Sequence, residues 1–260
     1  MKKFFSARKL NIILSVSAIV LMWLVWIISY YSVKNDYIIP SFSATVKSFF
    51  LCFAESGFWI AFCMTALRTF AAFAVSFAAA ALFAALSVSF KGASAFLKPI
   101  MVFLRTVPTL AVILVLLVWT NPEAAPVAVT FLVIFPMIYS QLTAAADGVD
   151  KKLLQMVKVY GIKRSDVIRK IYLPQISVSV FSQTGANISL GLKIMISAEV
   201  LSLTYRSLGG LMQSARGYLE MPRLAALTLV AVFAGLFIDA AFSQLKRINA
   251  KWLYGEKNAD

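Results

Sequence analysis

The feature that most constrains this chain is the recurrence of apolar stretches about as long as a bilayer is thick. A helix rises about 1.5 Å per residue, so about 20 residues cross about 30 Å of hydrocarbon. Six segments reach that length: 10–31, 69–90, 100–120, 124–146, 176–201 and 224–244. A soluble domain of 260 residues could not cover all six, and a mean hydropathy of +0.83 with only 14% charged residues excludes a water-facing surface. The sequence therefore predicts an all-α integral membrane protein with six transmembrane helices.

The basic residues orient it. Lys2, Lys3, Arg8 and Lys9 precede an uncharged run over 10–33, which is longer than a signal h-region of about 7–15 residues and predicts a retained span. Along alternate loops, the N-tail, Lys91 with Lys98, the segment from Lys151 to Lys170 and the C-terminal stretch from Lys246 onward together hold 17 Lys and Arg. The opposite side holds Lys34, Lys47, Arg206, Arg216 and Arg223. By the positive-inside rule both termini are cytoplasmic, which also explains the net charge of +14 without nucleic acid as a partner. The organisation is an N-tail over 1–9, a transmembrane domain over 10–246 with a cytoplasmic loop at 147–175, and a C-tail over 247–260. With no His and only Cys52 and Cys63, neither a metal centre nor a disulfide framework is expected.

The 147–175 loop is too long and too patterned for a turn. Leu153, Leu154, Val157 and Tyr160 fall at helical spacing, and Gly161 suits a C-terminal cap. A second short helix is expected to start with Ser165 as N-cap, to place Val167, Ile168 and Ile171 on one face, and to end before Pro174. The elbow fits two roles: an amphipathic hairpin resting on anionic headgroups of the membrane lipid, or a docking surface for another protein.

Gly161, then Ile171, then Leu173-Pro174 at this spacing resembles the cytoplasmic signature of ABC importer permeases. In that family the loop opens Glu-Ala-Ala; Gln155-Met156-Val157 stand there in this sequence, and Gln155 keeps hydrogen-bonding capacity without the charge. Ile39-Pro40-Ser41, Ala66-Leu67-Arg68-Thr69, Ala198-Glu199-Val200, Leu208-Gly209-Gly210-Leu211 and Trp252 after a basic tail are similar to the nitrate/sulfonate/taurine subgroup. The resemblance implies a type I ABC importer-like fold in the bacterial cytoplasmic (inner) membrane, crossing it several times. It further implies that the elbow docks on a separate ATP-binding ABC subunit, which carries ATP and Mg, and that an extracytoplasmic solute-binding protein delivers the solute. A second permease copy completes the path, a homodimer being the simpler arrangement. The subgroup's solutes include nitrate, taurine, alkanesulfonates and precursors of thiamine or riboflavin.

Polar residues inside the spans point to the path itself. A Lys near a helix centre costs about 2.5–3.5 kcal/mol on insertion scales, so Lys193 needs a reason. At 100° per residue Ser179, Gln183 and Asn187 share one face of the fifth span, with Ser182, Ser189 and Lys193 beside them. These stripes either line a translocation path on which Lys193 attracts an anionic solute, or pack helices together with Lys193 paired to Glu199 or Asp239. Arg68 and Arg105 read as interfacial anchors, and Pro108 and Pro136 as kinks. No GxxxxGK[ST] or GxGxxG motif is present, so the chain requires a partner to use ATP and needs no cofactor of its own. No paired carboxylates or nucleophile–base set suggests an enzyme. The alternative function is an ion-coupled secondary transporter using Glu199 and Asp239.

Overall fold

Hydrocarbon offers no water to a free peptide group, so a chain this apolar must satisfy its backbone within helices. The computed structural model describes residues 2–149, 153, 155, 156, 160 and 163–254, and among them there is no strand. The first half comprises α1 (Lys2–Val33), α2 (Phe42–Ala54), α3 (Ser56–Ser89), α4 (Lys91–Thr106), α5 (Thr109–Trp119) and α6 (Ala125–Asp147). After the elbow come α7 (Arg164–Val167), a π-helical turn (Ile168–Tyr172), α8 (Leu173–Ser202), α9 (Leu208–Gly217) and α10 (Met221–Tyr254).

By length and apolarity four helices can cross a bilayer: Ile13–Val33 within α1, α3, α6, and Met221–Gln244 within α10. The bent pair of α4 and α5 makes a fifth if counted as one span. The expected fifth span is α8, whose 30 residues make it about 45 Å long. Gln183, Asn187, Lys193 and Glu199 lower its apolarity, so composition alone supports four or five spans where six were expected.

Two boundaries differ from expectation, each for a local reason. The second span begins at Ser56, because 56–68 contains no helix breaker beyond Gly57; Arg68 thus lies inside α3 and not at its end. The third span is two helices at 95°. Proline forces the residue before it into extended backbone and donates no N–H, and Val107 is extended (φ −65°, ψ 128°) with Pro108 opening α5. α6, in contrast, continues helical through Pro136.

Between helices in lipid there is little hydrophobic drive, so packing depends on close backbone approach at small residues. α3 supplies them in a single buried stripe, Ala61, Thr65, Thr69, Ala72, Ser76, Ala80, Ala84 and Ser87, repeating every three or four residues. Against it lie α6, α8 and α4. The stripe's hydroxyls do not go unpaired: Ser76 donates to the Ala72 carbonyl at 2.7 Å, and Ser87 bonds the Tyr139 hydroxyl of α6 at 2.7 Å. Larger side chains fill the flanks, with Leu97, Met101, Ile134, Phe135 and Ile138 joining α3, α4 and α6. A second cluster of Cys52, Phe58, Leu192, Ile196, Leu208 and Leu227 joins α2, α3, α8, α9 and α10. Peripheral α1 buries none of the residues 13–33; Trp26 Nε1 donates to the Pro40 carbonyl at 3.2 Å and both Trp23 and Trp26 meet Phe42 edge-on.

α8 also runs close against α10. A Cβ on Gly185 would lie 2.8 Å from Phe242 Cβ, and one on Gly235 would lie 3.1 Å from Ser189 Oγ. Gly185→Leu is expected to wedge these helices apart and destabilise the bundle by about 1–3 kcal/mol. Gly57→Ala, where nothing stands within 4 Å, should leave stability within about 0.5 kcal/mol. Thermal unfolding of both variants in one detergent measures the difference.

Candidate functional site

Several apolar side chains of the elbow are uncovered. Among its described residues Leu153, Gln155, Tyr160, Ile168 and Leu173 are exposed, with Tyr160 at 75% and Leu173 at 59%, while Val167, Ile171 and Pro174 are half-buried. Leu154, Val157 and Gly161 lie outside the described residues, as does the side chain of Ser165. Helix α7 starts earlier than Ser165: the Val167 N–H already bonds the Lys163 carbonyl at 3.1 Å, so Ser165 is inside the helix and is not its N-cap. Nor does the helix end before Pro174. The Leu173 N–H reaches back five residues to the Ile168 carbonyl, and this π-turn leads directly into α8 with Pro174 in its first turn. A widened turn relieves the clash a proline ring makes with the carbonyl four residues earlier, here Lys170. Lys170 pairs with Asp166 at 3.4 Å on the outside of this segment.

The polar face of α8 divides into two parts. Asn187 is buried and exchanges two hydrogen bonds with Gln141 of α6, at 2.7 and 3.0 Å, so it joins helices. Ser189 is buried against α10. Ser182 and Lys193 are exposed, Ser179 and Gln183 half-buried. Ser182 and Lys193 stand within about 20° of one another around the axis and about 16 Å apart along it. Among the described residues Lys193 has no ion-pair partner, so its pairing with Glu199 or Asp239 does not occur.

Glu199 is occupied elsewhere. It is fully buried, and each carboxylate oxygen is supplied with donors: Thr65 Oγ1 lies 2.8 Å from Oε2 and 3.1 Å from Oε1, the Gly209 N–H donates to Oε2 at 3.3 Å, and Arg68 Nη1 stands 3.4 Å from Oε1. Arg68, 11% exposed, also pairs with Glu123 in the turn before α6 and reaches the Tyr205 carbonyl at 3.5 Å. The anchor expected at Arg68 is instead the centre of an ion-pair network tying α3, α8 and two turns. Gly209 is in the first turn of α9, where free N–H groups and the helix dipole favour negative charge. Its own Cβ would lie 2.6 Å from the Val200 nitrogen, so only glycine lets α9 approach this closely. Ser207 caps the same helix through the Gly210 N–H at 2.9 Å, and the Leu208 N–H donates to Thr65 Oγ1 at 2.9 Å.

Asp239 is exposed on α10, and its Cα lies level with Gly185 of α8. That is about 21 Å along α8 from Glu199. The two carboxylates do not form one cation site, and among the described residues no group of His, Cys, Asp or Glu could hold a metal ion.

One further feature was not among the sequence expectations. A groove of about 760 Å³ opens between the end of α4, α6 and the start of α8, lined by Arg105, Ser140, Gln141, Gln175, Ser179 and Ser182 among others. Arg105 Nη1 donates to Ser140 Oγ at 3.1 Å. The signal in the sequence was Arg105 three residues before Pro108, at the point where the helix must bend.

The family model described as "Binding-protein-dependent transport system inner membrane component" matches residues 76–253. The taurine transport system permease protein TauC of Escherichia coli is 25% identical over 162 residues, 62% of this chain and 58% of that protein. A putative aliphatic sulfonates transport permease protein, SsuC, also of Escherichia coli, is 26% identical over 219 residues, 83% of this chain and 82% of that one. The match with the first of these relatives thus spans under two thirds of its length. A crystal structure of an amino acid ABC transporter with histidines superposes with a TM-score of 0.65 at 16% identity, covering 80% of this chain and 98% of that one, a likeness of fold.

Removing one partner from a buried ion pair leaves a charge without compensation. Arg68→Met is expected to destabilise the bundle by about 3–5 kcal/mol. Glu199→Gln, which keeps the shape and one acceptor for Thr65, is expected to cost less than Arg68→Met. Thermal unfolding of both single variants and the double variant reads this directly, the double being less destabilised than the sum.

Proposed function

The chain belongs to the family of binding-protein-dependent transport system inner membrane components, and on that premise we propose that it is the permease subunit of an ATP-driven ABC importer. It forms the translocation path for a small anionic solute handed over by an extracytoplasmic binding protein. A separate ATPase subunit binds ATP and Mg and docks on the elbow. A second copy of the chain closes the path in the bacterial inner membrane, both termini facing the cytoplasm.

The observation that carries this reading is the exposed apolar side of the elbow, with Leu153, Tyr160, Ile168 and Leu173 uncovered beside a strongly basic loop. An apolar patch of this kind at a polar end of a membrane bundle is a surface for a protein partner. The elbow passes into α8 without a helical break, so movement of a docked ATPase pair reaches the path helix as rigid-body rotation. The chain's own residues hold, orient and release the solute, and no covalent step occurs in this subunit. Lys193, exposed on α8, supplies positive charge along the path. The relatives named for taurine and aliphatic sulfonates, both organic sulfonates, favour an anion of that class.

Gentle detergent extraction of the tagged chain from its native membrane is expected to bring down an ABC ATPase with measurable ATP hydrolysis. Ile168→Asp places a charge at the centre of the docking face, and about a thirtyfold loss of bound ATPase is expected while the variant still elutes as folded protein. Recovery of the chain alone, with uptake that follows an ion gradient and persists without ATP, would refute the importer reading. Lys193→Met is expected to slow uptake without disturbing ATPase retention; full uptake in a folded Lys193→Met variant would remove Lys193 from the path.

A further inference from the structure

We propose that the groove between α4, α6 and α8 is an anion subsite of the path, with Arg105 as its selectivity residue for a solute bearing a planar or tetrahedral oxyanion such as a sulfonate. This deepens the importer reading and rests on it.

The bend at Val107-Pro108 ends α4 one turn from the groove and leaves Arg105 in that last turn, its side chain exposed. A guanidinium is always charged and presents five N–H donors in a rigid fork suited to two oxygens of one anion. Among the described residues only Nη1 is engaged, by Ser140 Oγ at 3.1 Å, and this bond holds the fork at the groove without neutralising it. Among the described residues Arg105 has no carboxylate partner, and no acidic residue lines the groove. Arg68 provides the contrast: it is paired with two carboxylates and cannot offer net charge to a solute.

The remaining walls suit the same ligand. Gln175 and Ser179 bring an amide and a hydroxyl from the face of α8 that also carries Lys193, while the Ser182 hydroxyl beside them is donated to the Ser179 carbonyl at 2.7 Å. The volume of about 760 Å³ admits a small solute with several waters. Lys193 and the groove lie on one face of α8, about 16 Å apart measured from Ser182. An anion leaving the ammonium of Lys193 along this face of α8 therefore meets a second cationic station in Arg105 of α4. Several weak stations in sequence favour entry without trapping the ion.

The test is direct binding to the full-length chain in lipid nanodiscs. Trifluoromethanesulfonate is the probe, read by its ¹⁹F linewidth; trifluoroethanol is the neutral control and empty nanodiscs the blank. The wild type is expected to broaden the sulfonate resonance saturably and to be competed by methanesulfonate. Arg105→Gln should weaken that binding about tenfold or more, because a charge-assisted forked bond is lost. Arg105→Lys should recover part of it through charge alone, and Arg216→Gln, an exposed cation on α9, should match the wild type. Elution at the wild-type volume establishes that each variant is folded. Absence of sulfonate binding to the wild type, equal affinity in Arg105→Gln, or equal weakening by Arg105→Gln and Arg216→Gln would each overturn the subsite. ATPase co-purification reads the importer assignment separately: a wild type that retains its ATPase while sulfonate affinity ignores Arg105 refutes the subsite alone.

Discussion

A carboxylate sealed from water must be met by donors on every side, and that requirement on Glu199 organises one end of this bundle. The donors come from α3 through Thr65 and Arg68, and from α9 through Gly209. Because the donors belong to different elements, meeting the demand of a single charge fixes their mutual positions. The same bonds place α9, whose first turn needs acceptors for its free N–H groups as much as Glu199 needs donors. Glu123 extends the network to the half-exposed turn before α6, so the positive charge of Arg68 is divided between a dry and a wet carboxylate. Buried ion pairs of this sort contribute little net stability over an apolar core, but they make one arrangement far better than its neighbours.

The rest of the bundle is held by surface relief more than by chemistry. The small-residue stripe on α3 lets α6 and α8 come close, and Gly185 and Gly235 do the same between α8 and α10. Amide and hydroxyl pairs then select register: Asn187 with Gln141 between α8 and α6, Ser87 with Tyr139 between α3 and α6. Such bonds are worth about 0.6 kcal/mol on average in a membrane, so they choose among close packings and do not create them.

How much of this could be read in advance depends on the range of the interaction. The helical class follows from apolar run length, a local property, and four of the six expected spans coincide with helices apolar enough to cross. The break at Pro108 was equally local, since a proline dictates the backbone on both sides of itself. Arg68 was misplaced because a start at Ser56 depends on the absence of any stop signal between 56 and 69, and an absence is weak evidence in a sequence. Its pairing with Glu199 spans 131 positions and had no local trace. The stripe of Ala, Thr and Ser on α3 was present as small residues every third or fourth position, but a search for polar faces alone does not register it. The second helix of the elbow was bounded incorrectly because Pro174 was read as a terminator; a π-turn lets a helix accept a proline that α geometry rejects.

That continuity has a mechanical consequence. From Arg164 to Ser202 the chain is one unbroken run of helix that passes through the π-turn at Ile168–Tyr172, and its far end carries Glu199, the residue on which α9 is mounted. A displacement at Ile168 would be carried along this run more faithfully than along a loop, because a continuous hydrogen-bonded helix twists and bends far less readily. The exposed end at Ile168 and the sealed end at Glu199 thus belong to one element, so neither can shift without loading the other.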